Sequence, residues 1–296
     1  AADRLMDLAR TGDQNVAAAA LGSLEQMGDE ARDDLRSLLM ERVKDGTDAD
    51  FGQSVQTLAR LGGEEVLSLL TTRLDEGTMA EKQQALGALA QMGDADSEAA
   101  MRRVYDSSED PAMRVQVLNH LLWSENVDDS LLDSAMADDD PTVVASVAYA
   151  LAERGGEDSA ARLLQMAEAD DVQVRTAAIS SLAQVGGEEA EAVLLAGLAD
   201  PEVAPSIMWP VSLSSSPLVR EALRDVARNG DPELRASALS SLSMDPDPET
   251  NDLLESALRD EDNSVAQSAL YALQSRGSSS AAGAIAAVLD DLPEDE

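Results

Sequence analysis

One helical unit of about 31 residues recurs along the whole chain, and this periodicity restricts the fold more than any other feature. The clearest copy begins at Asp171, a residue that favours the N-cap of a helix. An apolar face follows at helical spacing. Gly186 and Gly187 then end the helix, because glycine adopts the left-handed cap conformation without a Cβ penalty. A second helical segment continues through Leu198, so the unit is predicted to be a helix, a tight turn and a second helix.

The apolar residue four positions before the glycine, here called the anchor, measures the period. In the unit above it is Leu182. A single helix pair cannot bury both of its faces, so pairs repeating at this period are predicted to stack into an α-solenoid. The glycine is missing after three anchors, Leu121, Val211 and Leu242. Along the chain the anchors are Leu24, Leu58, Leu89, Leu121, Leu151, Leu182, Val211, Leu242 and Leu273.

The unit resembles HEAT repeats, in particular the short HEAT-like repeats of phycobilin lyases, which begin roughly Asp-Pro-x-Val-Arg. Three copies keep the acidic residue and the arginine, ending at Arg114, Arg175 and Arg235. Three other copies keep the aspartate and carry Val144, Ala204 or Ala266 where the arginine is expected. The resemblance implies a fold and says little about function, because one fold can support many functions.

The predicted fold is all-α, a right-handed α-solenoid of about nine antiparallel helix-pair HEAT-like repeats plus a terminal helix. The repeats form a single predicted domain at residues 1–296, with a terminal helix at 279–290 and an acidic tail at 291–296. The repeat boundaries are expected at about 1–28, 29–63, 64–94, 95–126, 127–156, 157–187, 188–216, 217–247 and 248–277.

The seventh repeat is the least regular. Pro205 and Pro210 cannot both lie inside one straight helix without the loss of backbone hydrogen bonds. We therefore expect a broken or shortened second helix, followed by a loop at 214–217. This irregularity is either a structural defect that the stack tolerates or a place where a partner binds.

The formal net charge of −37 argues against nucleic-acid binding, which depends on Lys and Arg at the phosphates. It also disfavours anionic membrane surfaces, and no apolar run reaches the roughly 18 residues of a membrane span. Two interpretations of the charge remain open. The surface is adapted to salt, which screens the repulsion between carboxylates, or it attracts a basic partner.

The candidate binding surface follows from the position two residues before each anchor. In HEAT-like repeats the second helices line the concave side, so this position is expected to face outward there. It is weakly polar and carries aromatic residues in the second half of the chain, and Tyr and Trp are frequent binding hot spots. The alternative is that small residues only allow the helices to approach closely. The candidate partner-binding residues are Asn119, Tyr149, Ser180, Trp209, Ser240 and Tyr271.

The acidic turns at 138–140, 170–171, 200, 231 and 260–262 are expected to align as a ridge. Carboxylates suit Ca²⁺, but each turn also contains a suitable helix cap, which is the preferred interpretation. The single histidine, His120, has no second histidine and no cysteine to form a metal or catalytic set with. No phosphate loop or nucleophile motif is present. No cofactor, metal or catalytic residue is therefore predicted.

The sequence thus favours a non-enzymatic protein–protein interaction scaffold whose partner is unknown, with a basic partner on the acidic ridge as a further possibility. Two alternatives remain. One is an accessory lyase or chaperone for a prosthetic group, which the resemblance to lyase repeats implies. The other is a structural module of a longer chain. The chain begins at Ala1 rather than Met, which we interpret as processing or trimming of the N-terminus, and its cellular location is not predicted.

Overall fold

The computed structural model describes residues 1–11, 14–45, 48–122 and 129–276, together with residues 283 and 286. Over these residues the regular secondary structure consists of α-helices and one short 3₁₀ turn. Contacts divide the chain into two compact units, Ala1–Asp129 and Ser130–Glu296, which are described in turn. The predicted terminal helix at 279–290 and tail at 291–296 lie almost entirely outside the described residues. The single domain at 1–296 stays a prediction.

The first unit contains four consecutive helix pairs. In each pair the two helices pack against each other, and the second helices of the later pairs pack on one another, α4 on α6 and α6 on α8. Among the first helices, α5 packs on α7. The helices are α1 (Ala2–Thr11), α2 (Gln14–Glu25), α3 (Asp29–Asp45), α4 (Asp48–Leu61), α5 (Glu64–Glu76), α6 (Met79–Met92), α7 (Ala95–Ser107) and α8 (Pro111–Leu121).

The second unit contains five further pairs stacked as two layers. The even-numbered helices α10 to α18 each contact the next one, and the odd-numbered helices do the same from α11 to α17. This arrangement confirms the predicted all-α solenoid. The elements are α9 (Asp129–Met136), α10 (Pro141–Arg154), α11 (Gly156–Met166), α12 (Val172–Val185), α13 (Glu188–Ala199), α14 (Ala204–Ser212), α15 (Pro217–Asn229), α16 (Pro232–Ser241), a 3₁₀ turn (Leu242–Met244), α17 (Pro248–Ala257) and α18 (Asn263–Arg276).

The nine anchors form the core of both units. Leu182 and Leu151 are fully buried, and the least buried anchor, Leu121, exposes only 5% of its surface. Eight of the anchors lie near the end of the second helix of their pair, and the ninth, Leu242, begins the 3₁₀ turn that follows α16. One apolar position per 31 residues therefore lines the interior of both stacks, as expected when pairs gain stability from their neighbours.

The helix ends follow the predicted chemistry in most details. The Asp171 carboxylate accepts hydrogen bonds from the N–H groups of Gln173 (2.8 Å) and Val174 (3.2 Å), as an N-cap should. Gly186 has a positive φ of 73°, but its ψ of −169° lies outside the left-handed helical region. The expectation of a left-handed cap is therefore wrong in detail. The backbone adopts another positive-φ conformation that is essentially restricted to glycine, and the Gly186 N–H donates to the Leu182 carbonyl (3.0 Å).

In the repeats that keep it, the arginine of the repeat motif joins the turn to the second helix. Arg175 donates to the carbonyls of Ala169 (3.1 Å) and Asp170 (2.8 Å) in the turn that follows α11. It also pairs with Glu202 in the next turn along the chain (3.1 Å). Arg235 repeats this arrangement with Gly230 and Asp260. Carbonyls without helical partners are thus satisfied by a charged donor, which strengthens the hydrogen bond.

The seventh repeat is shortened as predicted. Its second helix, α14, has nine residues, whereas α10 and α12 have fourteen. Pro205 lies in the first turn, where its missing N–H costs nothing, and Pro210 lies inside the helix. Residues 214–216 then connect to α15, which begins at Pro217.

Candidate functional site

Three large aromatic side chains are exposed on the even-numbered helices of the second unit. Tyr149 on α10 is 55% exposed, Trp209 on α14 is 55% exposed and Tyr271 on α18 is 58% exposed. Each lies two residues before its anchor, so the three occupy equivalent positions in alternate repeats. We call Tyr149, Trp209 and Tyr271 the aromatic row. Since aromatic rings normally bury most of their surface, this exposure is not explained by the packing of the stack.

The remaining candidate residues differ in their placement. Ser240, between Trp209 and Tyr271 in repeat order, is exposed. Ser180, between Tyr149 and Trp209, is buried with 6% exposure, so the expectation that it faces outward is wrong. Serine is a short side chain, and α12 is packed between α10 and α14, so neighbouring side chains cover it. Asn119 is exposed on α8 and belongs to the first unit.

Local hydrogen bonds involve the backbone at Trp209 and both the backbone and the ring hydroxyl of Tyr271. The Ser212 hydroxyl donates to the Trp209 carbonyl (2.7 Å), one turn before the end of the shortened helix. The Gln267 amide donates to the Tyr271 hydroxyl (3.3 Å), and the Ser275 hydroxyl donates to the Tyr271 carbonyl (2.9 Å). The rings are thus presented by ordered helices, which lowers the entropy cost of binding a partner.

The charge of the second unit is divided between its two helix layers. The even-numbered helices contain two carboxylates, Glu153 and Glu233, against four arginines. The odd-numbered helices contain twelve carboxylates against four arginines. Helix α14 has no charged residue at all. The aromatic row therefore lies on a layer with few carboxylates in a chain of net charge −37.

The acidic turns are occupied as helix caps and ion-pair partners. Asp140 and Asp231 each accept a hydrogen bond from a backbone N–H of the following helix. Asp260 accepts from Arg235 (2.7 Å) and from the Asp262 N–H (2.9 Å). Within the described part of the chain no group of three or more His, Cys, Asp or Glu side chains could hold a metal ion. The carboxylates thus stabilise helix ends and turns.

His120 lies exposed on α8, next to the anchor Leu121. Partial desolvation by the surrounding protein lowers the pKa of His120 below its usual 6.5. Trp123, which follows shortly after it, is outside the described residues. In the part of the chain that the structure describes, no helix is long and apolar enough to cross a membrane.

Three cavities lie on the side of the odd-numbered helices, away from the aromatic row. The largest, about 570 Å³, lies between α9 and α11 and is lined by Asp133, Met136, Asp158 and Arg162 among others. One of about 340 Å³ is bordered by α13, α15 and the start of α16, and one of about 310 Å³ lies between α15 and α17. None of the three is lined by a member of the aromatic row.

Sequence reasoning missed an ion cluster in the eighth repeat, whose central pair is buried. Arg224 on α15 contacts the carboxylates of Glu221 (2.9 Å), Asp245 (3.1 Å) and Asp247 (3.2 Å). The Arg224 and Asp245 side chains are 8% and 6% exposed. The feature of the sequence that could have indicated this cluster is the turn 245–248, where two aspartates and two prolines replace the usual glycine.

Comparison with solved structures supports the fold and does not identify a function. A Kap121p structure aligns with 93% of this chain and 37% of its own, with 14% identity and a TM-score of 0.52. A Kap121p mutant aligns with 99% and 40%, with 13% identity and a TM-score of 0.53. This chain therefore spans about two-fifths of the length of Kap121p. Human deoxyhypusine hydroxylase in complex with glycerol has 17% identity over 93% of this chain and 96% of its own, but its TM-score of 0.33 is too low to support an argument.

Comparison at the level of sequence identifies the family. No curated protein matches the chain. A family model described as HEAT repeats matches residues 129–206 and 220–296, which together make up just over half of the sequence. No comparison tests the narrower likeness to phycobilin-lyase repeats, which stays a prediction. With its stacked helix pairs, its buried anchors and this match, the chain belongs to the HEAT-repeat family.

Proposed function

We propose that this protein is a non-enzymatic interaction scaffold that binds a protein partner through the even-numbered helices of its second unit. The observation that supports this proposal is the aromatic row, three rings that are each more than half exposed at equivalent positions. Exposed apolar surface of this kind is typical of protein-binding sites, and Tyr and Trp are among the residues that contribute most to binding energy. We expect this surface to be the concave side of the solenoid.

The distribution of charge supports the same surface. A partner that contacts the even-numbered helices meets a layer with two carboxylates, whereas the layer of odd-numbered helices carries twelve. Removing a charged group from water is costly. An apolar or weakly polar partner surface is therefore favoured on the aromatic row. A strongly basic partner is the alternative for the acidic turns.

Capture from a lysate of the source organism tests the proposal. We expect the wild-type chain to retain a partner that the triple variant Tyr149→Ala, Trp209→Ala, Tyr271→Ala loses, with binding weakened at least about 30-fold, since each ring is a candidate hot spot. The variant should keep its helical content by circular dichroism, because its rings are exposed.

The matched control is Val16→Ala, Met79→Ala, which removes exposed apolar side chains from the first unit. It should retain the partner. Retention by the triple variant would contradict the proposal. If that retention also disappeared at high salt, the partner would bind at the acidic turns, through charges that salt screens.

We further propose that the acidic surface is an adaptation to salt. With a net charge of −37, repulsion between carboxylates opposes the compact state, and ions screen it. The melting temperature is expected to rise by several degrees between about 0.05 M and about 1 M KCl, as the Debye length falls from more than 10 Å to about 3 Å. Scanning calorimetry across this range checks the prediction. A melting temperature that does not change with salt would contradict it.

A further inference from the structure

A second set of exposed apolar side chains lies beside the aromatic row. Leu213 directly follows α14 and is 60% exposed, and Met244 ends the 3₁₀ turn after α16 and is 74% exposed. Each lies two residues after its anchor, Val211 or Leu242, so the two positions are equivalent in consecutive repeats. Since α14 packs on α16, these positions are neighbours along one edge of the stack.

The position two residues after the anchor is apolar only in the repeats that lack the turn glycine. In the three repeats without it the residue is Trp123, Leu213 or Met244, of which Trp123 is outside the described residues. In the six repeats with the glycine the residue is polar: Gln26, Arg60, Gln91, Glu153, Gln184 and Ser275. The anchors Val211 and Leu242 are already 0% and 1% exposed. Packing of the core therefore does not account for the two additional apolar side chains.

Leu213 and Met244 extend the aromatic row along the helix axis. Trp209 and Leu213 are four residues apart, so they lie on the same helix face about 6 Å from each other along the axis. Met244 likewise follows Ser240 by four residues, across the 3₁₀ turn at the end of α16. Neighbouring helices lie about 8–10 Å apart. Trp209, Leu213 and Met244 thus form one surface, which we call the apolar patch.

Carboxylates lie at the opposite ends of the same two helices. Glu202 precedes α14, and Asp231 and Glu233 lie at the start of α16, and all three residues are exposed. Ten residues of helix span about 15 Å, which is the approximate separation between these carboxylates and the apolar patch. The surface therefore has an apolar end and an acidic end, inside the attractive field that a net charge of −37 presents to cations.

We propose that the apolar patch is the energetic centre of the partner-binding surface. Its occupant is a segment of a protein partner with apolar anchor side chains, such as Leu, Met or Phe, and with Lys or Arg about 15 Å away along the segment. The anchors cover Trp209, Leu213 and Met244, and the cations meet the carboxylates at the other end. This inference rests on the proposed function, and it adds the chemistry of the partner and the site of the strongest contacts.

Selection of displayed random peptides of about fifteen residues, a length that spans the surface as a helix, tests the proposal with the full chain as bait. We expect the enriched peptides to combine apolar anchors with Lys or Arg. Their affinity should fall at least about tenfold for the double variant Leu213→Ser, Met244→Ser, and severalfold when their Lys and Arg are replaced with Ala. The control Met79→Ser, which removes an exposed apolar side chain from the first unit, should leave the affinity unchanged.

Each other outcome would overturn the inference. If the peptides bind the double variant as tightly as the wild type, the apolar patch is not the energetic centre of the surface. If the enriched peptides lack Lys and Arg, the proposed basic residues of the partner segment are excluded. The absence of any enriched peptide would exclude a segment of this kind. The double variant leaves the aromatic row intact. If lysate capture depends on the row while the double variant has no effect, this inference fails and the proposed function stands. If capture is indifferent to the row, the proposed function itself fails.

Discussion

Replacing Leu182 with Ala should lower the free energy of unfolding by about 4 kcal/mol. Leu182 is the fully buried anchor of α12, a helix that packs against α10, α11, α13 and α14. Truncation removes apolar contacts on all of these sides and leaves a cavity that rigid neighbouring helices cannot fill, which places the cost in the upper part of the range for Leu→Ala substitutions. Urea denaturation followed by far-ultraviolet circular dichroism measures the change.

The comparison variant is Gln184→Ala on the same helix, whose side chain is exposed. Its effect should be within about 0.5 kcal/mol of zero. Because each repeat contacts only its neighbours, we expect hydrogen exchange in the Leu182 variant to accelerate first in α10 to α14. A loss of stability below about 1 kcal/mol would show that the anchors are not the main source of cohesion between the pairs.

Replacing Arg224 with Ala should lower the free energy of unfolding by about 3 kcal/mol. Its guanidinium and the Asp245 carboxylate are both buried and lie 3.1 Å apart, so the substitution leaves a buried carboxylate without its cation. The Thr250 hydroxyl and the Asp247 N–H still donate to Asp245, which keeps the cost at the lower end for a broken buried pair. Equilibrium denaturation at neutral pH measures the loss.

Arg228→Ala provides the matched control on the same helix. Arg228 is 38% exposed and pairs with Glu221 (3.1 Å) at the surface, so its removal should cost less than about 1 kcal/mol. The double variant Arg224→Ala, Asp245→Ala should recover part of the loss, since it removes the unpaired charge. If Arg224→Ala and Arg228→Ala lowered the free energy of unfolding by the same amount, burial of the Arg224–Asp245 pair would not be the reason for the larger loss.

The stabilisation contributed by the Arg224 cluster should decrease at acidic pH. Hydrogen bonds from Arg224 and Arg228 lower the pKa of Glu221 below its ordinary value of 4.5. A carboxyl whose pKa is lowered by folding stabilises the folded state above its ordinary pKa. That contribution is lost as the pH falls through the lowered value. The difference in stability between the wild type and the Arg224 variant should therefore narrow below pH 4.5.

Much of the fold could be predicted from the sequence because the same local signals for helix starts, helix ends and buried positions recur along the chain. Aspartate caps such as Asp171, the periodic anchors and the turn glycines act within a few residues of chain, so they are readable without knowledge of tertiary contacts. Pro205 and Pro210 likewise predicted the shortened α14, since a missing N–H is a local property. The aromatic row was found for the same reason, because its position relative to the anchor is constant.

Only the tertiary structure decided which of the equivalent repeat positions are exposed and which charged side chains form ion pairs. Ser180 has the same register as Tyr149 and Trp209, yet it is buried, because the exposure of a short side chain depends on the reach of its neighbours on adjacent helices. Arg224 and Asp245 are 21 residues apart, and only the packing of α15 beside the turn after α16 brings them together. The sequence by itself determined the helix pairs and their period. Stacking determined the surface, because burial and ion pairing depend on side chains that are distant along the chain.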